Sequence, residues 1–291
     1  MRPLIAVLVL VTTGLATGVY LAKPAPEVNA SYYAPSVPQR VAATPTPPLV
    51  TPDVTVYAVD AATMTPLYAQ NETTPRPVAS ITKLMTLLVV LSDHNTGDKV
   101  TVGKLPTYDP SDELMGLSAG QVFSVKDLAT AALVASANDA ADALAIADAG
   151  SESAFISKMN LRATEWGITG AHFNSATGLT DQGNLISAVA LAKIAKLALV
   201  NPTIRDLVKL PAATISDSAG HSYTLKTTND LLAAGQFYGI KTGYTDAAGQ
   251  CFVGLARING HTIITVVLGS NNRFDDTTRL VNWIQGAWQW Q

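Results

Sequence analysis

The sequence predicts an α+β protein: an antiparallel sheet drawn from the two ends of the globular region, with a mostly helical lobe inserted between them. Three observations predict it. β-Branched and apolar runs lie near both ends, at 54–59 and 66–70 and again at 239–241, 251–256 and 262–268. Alanine- and leucine-rich stretches with few breakers fill the middle. Hydrophobic residues make up 48% of the 291 positions and charged residues 14%, ample material for a core and unlike a disordered chain.

Taken in order, Val54–Val59 reads as a strand and Pro66–Gln70 as its partner after a turn. Ser80–Leu91 reads as a buried helix, and Val125–Ala149 as helical from its alanine content. Glu152–Trp166 places Phe155, Met159, Leu161 and Trp166 between polar residues. Ile186–Val200 is a further helix stopped by Asn201-Pro202. The three late apolar runs are strands, and Thr277–Trp288 is a closing helix.

Ahead of this region, residues 4–22 are uncharged and follow Arg2. As a helix they would span roughly 28 Å, close to a bilayer core of about 30 Å. Residues 1–23 are therefore read as a signal peptide or a membrane anchor, with Val28-Asn29-Ala30 as a passable cleavage site. Either way the remainder acts outside the cytoplasm. Residues 24–52 hold half of the sixteen prolines and read as a loose, semi-stiff linker; 53–291 form the globular domain.

Composition narrows the chemistry. A net charge of -3 with no lysine or arginine run argues against a nucleic-acid partner. One cysteine, Cys251, excludes an internal disulfide and a cysteine-rich zinc site, and it reads as a buried small hydrophobe. The four histidines sit at no metal-ligand spacing, so neither metal nor cofactor is expected.

Three short motifs carry chemistry. In Ser80-Ile81-Thr82-Lys83, residues three apart on a helix share a face, so the lysine reaches the serine hydroxyl. Serine is a poor nucleophile alone, and a lysine serves as its base when burial lowers its pKa. A serine at a helix start also sets backbone N–H groups near a developing oxyanion. The alternative for this motif by itself is a helix cap beside a surface lysine. Ser136-Ala137-Asn138 interrupts the alanine-rich region; it is either a polar break in a helix or a loop reaching into a cleft. Lys241-Thr242-Gly243 follows an apolar run. It suits an anionic group on a strand, with the glycine leaving room for a substrate backbone, or is simply a charged strand end.

Together and in this order, the motifs match the set found in penicillin-binding proteins and class A β-lactamases. The chain resembles the low-molecular-weight penicillin-binding proteins of the D-alanyl-D-alanine carboxypeptidase family from about Val54 to Trp283. Beyond the motifs, Asn138-Asp139-Ala140, His172-Phe173-Asn174, Gly178-Leu179, Asn229-Asp230-Leu231-Leu232 and Tyr244-Thr245 also resemble the family's pattern. The resemblance implies a β-lactamase/transpeptidase-like fold and a serine-type D-Ala-D-Ala carboxypeptidase acting on peptidoglycan stem peptides, with β-lactams as covalent inhibitors. It implies Ser80 as nucleophile, Lys83 as its base and Ser136 as proton relay tuned by Lys241. It implies that Asn138 holds the substrate amide and orients Lys83. Backbone N–H groups of Ser80 and Tyr244 would form the oxyanion hole, beside Gly243. Thr242 would bind the terminal carboxylate, and Arg273 is a further carboxylate-binding arginine or a surface residue at a helix start.

Family members often carry a β-rich domain and an amphipathic membrane helix after the catalytic domain. Neither is read after Trp283, which favours an amino-terminal anchor. The tryptophans at 283, 288 and 290 pack the last helix or touch a membrane surface. A D,D-endopeptidase uses the same machinery and stays open. A β-lactamase is less favoured, because no Glu-x-x-Leu-Asn pattern lies between Asn138 and Lys241, and Glu165 belongs to a helix. Two non-enzymatic readings, a degenerate wall-binding module and a tethered scaffold, complete the alternatives.

Overall fold

The structure is a computed structural model that describes residues 36–43, 45–47, 51–179, 184–234 and 237–291. The apolar segment 1–23 lies outside the described residues. Among the described residues, no helix is long and apolar enough to cross a membrane.

A five-stranded sheet runs through the unit. Its strands are β1 (Thr55–Asp60), β2 (Pro66–Gln70), β3 (Phe237–Thr245), β4 (Gly249–Ile258) and β5 (His261–Ser270). The order is β3-β4-β5-β1-β2 and each neighbouring pair is antiparallel, so the two ends of the domain meet at β5 and β1. The expected sheet is therefore present.

Successive strand residues point to opposite faces, and both faces are buried. On one face Val56, Ala58, Ala256, Ile263 and Val267 pack on Leu280 and Ile284 of the last helix, Arg273–Ala287. On the other, Val59, Val253, Ile264 and Val266 join the large core of the helical lobe. Burial on both faces explains why these strands read as near-continuous apolar runs rather than as alternation.

The lobe contains α1 (Lys83–Asp93), α2 (Val125–Val134), α3 (Asn138–Ala149), α4 (Glu152–Glu165) and α5 (Ala188–Val200). Its helices start where side chains cap orphan N–H groups. Ser124 and Asp127 form a capping box on α2, and Ser151 and Ser187 cap α4 and α5. Asn201 ends α5 and caps the next helix, Pro202–Leu207, with proline in its first turn.

The structure settles the two readings of the Ser136 motif and corrects the reading of the linker. The Val125–Ala149 helix is two helices, because Ser136 takes a φ of +61° and breaks the run. The proline-rich stretch is not a free spacer over its described residues. Pro38–Arg40 pairs antiparallel with Trp288–Trp290, and Trp283 Nε1 donates to the Pro45 carbonyl at 2.9 Å. Extended backbone suits proline, and carbonyls without helix or sheet partners accept the indole N–H groups. Trp288 Nε1 likewise donates to Leu67 O at 3.1 Å and Trp290 Nε1 to Asp60 Oδ2 at 2.9 Å, so the three tryptophans pack on their own chain.

Candidate active site

Ser80 lies in a 3₁₀ turn, Ala79–Thr82, that runs directly into α1 with Lys83 as its first residue. The turn is pinned from behind. Ala79 sits at φ +49°, and Gly178 approaches it so closely that a Cβ there would stand 2.0 Å from Ala79 O. Asn184 Nδ2 donates to Thr82 Oγ1 at 2.6 Å and to Ser175 O at 3.1 Å, tying the turn to the 171–179 segment.

Lys83 is fully buried. Its Nζ lies 2.6 Å from Ser80 Oγ, 2.5 Å from Asn138 Oδ1 and 3.3 Å from Thr177 O. Burial pushes its pKa down to about 7, against the opposing field of Glu113, Asp142, Asp112 and Asp139. All three partners are oxygens; in the neutral form two N–H groups can donate to the two carbonyl oxygens, which leaves the lone pair for the serine hydroxyl.

Ser136 and Asn138 occupy the break between α2 and α3. The backbone N–H and Nδ2 of Asn138 both donate to the Glu113 carbonyl, at 2.8 and 3.0 Å, which aims its Oδ1 at Lys83. The Asp139 carboxylate accepts the N–H groups of Met115, Gly116 and Leu117, at 2.7–3.1 Å, fastening the 113–117 loop to the start of α3. Ser136 Oγ has no hydrogen-bond partner among the described residues.

The third wall is β3, an edge strand, so one row of its backbone groups is unpaired by the sheet. Gly243 serves a different purpose from the one read in the sequence. A Cβ there would lie 2.7 Å from Val78 O and 3.2 Å from Ser80 N, so the glycine admits the Ser80 turn rather than a substrate backbone. The side chain of the following residue, Tyr244, is exposed. The Lys241 ammonium is buried, donates to Thr242 O at 3.0 Å, and is held well below the usual lysine range by desolvation and by the neighbouring Lys83. Thr242 Oγ1 sits 2.5 Å from Thr228 Oγ1. Arg273 reaches the same strand: Nη1 donates to Gly243 O at 3.0 Å, and the guanidinium lies over Phe274 with its Nε buried and unpartnered. Burial lowers its pKa.

The three motifs thus converge, and Arg273 joins them. The sequence reading missed Thr177 and Glu113, which act through backbone carbonyls, and Asp142. Asp142 is buried on α3, accepts from Tyr108 at 2.7 Å, and has its pKa pushed up to about 7 by burial. Glu165 ends α4 in an ion pair with Arg162 at 2.9 Å, as its helical reading implies. Cys251 is buried, and burial raises its thiol pKa to about 11.

The arrangement finds close counterparts among known proteins. The family model for D-alanyl-D-alanine carboxypeptidase matches residues 42–272. A D-alanyl-D-alanine carboxypeptidase of a Streptomyces strain is 35% identical over 78% of this chain and 85% of its own. DacF, a D-alanyl-D-alanine carboxypeptidase of Bacillus subtilis, is 32% identical over 70% of this chain, which spans 54% of that protein. Among solved structures, the Streptomyces K15 DD-transpeptidase matches with a TM-score of 0.75 at 34% identity, covering 82% of this chain and 99% of that one. Penicillin-binding protein D2 of Listeria monocytogenes, in its ampicillin-bound form, matches with a TM-score of 0.70 at 30% identity, covering 82% and 99%. With Ser80, Lys83 and Asn138 in mutual contact beside the Lys241–Tyr244 strand, in a fold shared with these enzymes, the chain belongs to the D-alanyl-D-alanine carboxypeptidase family of serine peptidases.

Proposed function

We propose that this protein is a serine D-Ala-D-Ala carboxypeptidase that removes the terminal D-alanine from peptidoglycan stem peptides through an acyl-enzyme on Ser80. The carrying observation is the buried Lys83 amine 2.6 Å from Ser80 Oγ, with a pKa near 7. Ser80 Oγ attacks the carbonyl between the two D-alanines while Lys83 takes its proton. Backbone N–H groups of Ser80 and Tyr244 receive the oxyanion. Ser136 passes a proton to the departing amine, D-alanine leaves, and water then hydrolyses the ester. Asn138 holds the acyl-side amide, and Lys241, Thr242 and Arg273 meet the terminal carboxylate. The same nucleophile accepts β-lactams; the ampicillin- and cefotaxime-bound forms of the Listeria protein support this. A peptidoglycan substrate lies outside the cytoplasm, and residues 1–23 would export the domain or anchor it to the membrane.

A second reading is a D,D-endopeptidase. Proteins of that name from Escherichia coli and Pseudomonas aeruginosa are 34% and 32% identical to this chain. The test is D-alanine release from a pentapeptide ending in D-Ala-D-Ala, compared with cleavage of a cross-linked muropeptide dimer. Faster pentapeptide turnover is expected. Cleavage of the dimer alone transfers the assignment to the endopeptidase.

A further inference from the structure

A second cleft, of about 730 Å³, opens at the end of the sheet away from Gly243 and Tyr244. Tyr238 of β3, Arg257 of β4 and His261 of β5 line it from the sheet, and the last turn of α5 and the helix Pro202–Leu207 line it from the lobe. No residue of the Ser80 site borders it. Four fixed cations meet there: Lys196, Arg205, Lys209 and Arg257. Two carboxylates answer them. Asp60 is buried and already accepts the N–H groups of Ala62 and Thr63, the Thr63 hydroxyl and the Trp290 indole, at 2.8–3.0 Å. Asp206 stands 3.7 Å from both Arg205 Nε and Lys209 Nζ, in exposed pairs that hold neither cation firmly. Lys196 donates to Ala61 O. Arg257 is exposed and has no hydrogen bond or ion pair among the described residues. The cleft is thus positive in a chain whose net charge is -3.

Between the charges the cleft is apolar. Leu255 and Ala256 are buried in its wall, and Val200 and Tyr238 border it while 68% and 43% exposed. A bare phosphate or carboxylate gains nothing from these groups, whereas an anionic amphiphile gains from both halves of the lining. The amino-terminal arm also joins the domain at this end: Pro38 pairs with Trp290, whose ring stacks on His261 with centroids 4.8 Å apart. We propose that this cleft binds the headgroup of an anionic phospholipid. Its phosphate faces Arg205, Lys209 and Arg257, and its glycerol and first acyl carbons lie against Val200 and Tyr238. Such a site would hold this end of the domain against an anionic membrane surface. The inference goes beyond the carboxypeptidase reading and does not depend on it.

The test is native mass spectrometry of the full-length protein in nonionic detergent, which counts bound lipid directly. The probes are dioleoyl phosphatidylglycerol, dioleoyl phosphatidylcholine and glycerol 1-phosphate. The wild type is expected to bind phosphatidylglycerol about ten-fold more tightly than phosphatidylcholine, the size of about two partly exposed ion pairs. Added salt shrinks that preference. Glycerol 1-phosphate, which lacks the acyl chains, is expected to bind at least about ten-fold more weakly than phosphatidylglycerol. The double charge reversal Arg205→Glu with Arg257→Glu should abolish the preference. Fluorescent penicillin labelling of Ser80 runs beside it as a check on folding, and Arg205→Gln with Arg257→Gln takes its place if labelling is lost. Equal binding of the two lipids by the wild type overturns the inference. So does a preference that survives in a folded double variant, since the lipid then sits elsewhere on the chain. Glycerol 1-phosphate binding as tightly as the lipid overturns the lipid assignment and makes the cleft a site for soluble phosphates.

Discussion

The pKa of Lys83 makes a quantitative prediction about acylation. Only the neutral amine accepts the Ser80 proton, so the rate follows its fraction. With a pKa of about 7, half of Lys83 is neutral at pH 7 and about 1% at pH 5. A solvent-exposed lysine would be only about 0.03% neutral at pH 7, so burial raises the supply of base by about a thousand-fold there. The sign follows directly: lowering the pH through 7 charges Lys83 and removes the base. The second-order rate of Ser80 acylation by a β-lactam with no group titrating between pH 5 and 9 should therefore climb about ten-fold per unit at low pH and level off above 8. Asp142→Asn removes one of the negative charges that hold the lysine pKa up, so the midpoint should move to lower pH. Because Asp142 itself titrates near 7, the wild-type curve belongs to the pair. A rate that is flat from pH 5 to 8, or a midpoint near 10, refutes the role given to burial.

Other consequences of the structure are equally open to measurement. Gly243→Ala forces a methyl against Val78 O and the Ser80 amide, and should cut acylation at least about ten-fold while lowering the melting temperature by several degrees. Asp139→Ala orphans three backbone N–H groups and should cost about 2–4 kcal/mol in urea unfolding, with slower acylation as the 113–117 loop loosens. A change below about 0.5 kcal/mol would show that the clamp is dispensable. Removing residues 1–47 should lower the melting temperature relative to removing residues 1–35, because only the longer deletion strips the Pro38–Arg40 strand and the Pro45 acceptor from the tryptophans.

The sequence was most legible where chemistry is written in local spacing. Ser80 and Lys83 meet because three residues are nearly one helical turn, and Cys251 and the strand cores are apolar runs that must be buried. It was least legible where the backbone does the work. The Thr177 carbonyl on Lys83 and the Glu113 carbonyl under Asn138 would accept from any side chain's position, so residue type carries no signal. Ala79 and Ser136 adopt positive φ against the propensity of non-glycine residues, which hides the Ser80 turn and leaves the polar break at Ser136 as only one of two readings. Strand β3 is longer than its apolar run suggests, because Gly239 and Gly243 weaken strand propensity while packing demands them: a Cβ on Gly239 would meet Asn229. The proline-rich segment looked unstructured by composition. Its docking depends on the Trp283 indole N–H and on pairing with the Trp288–Trp290 strand, more than two hundred residues away.

The central claim is that Ser80, activated by Lys83, forms the acyl-enzyme. The most direct measurement is the intact mass of the protein after brief exposure to a β-lactam, with peptide mapping of the adduct, for the wild type and Ser80→Ala. The account predicts one added β-lactam mass, mapped to Ser80, and no adduct in the variant, alongside loss of D-alanine release. An adduct that persists in Ser80→Ala, or D-alanine release that survives it, contradicts the account.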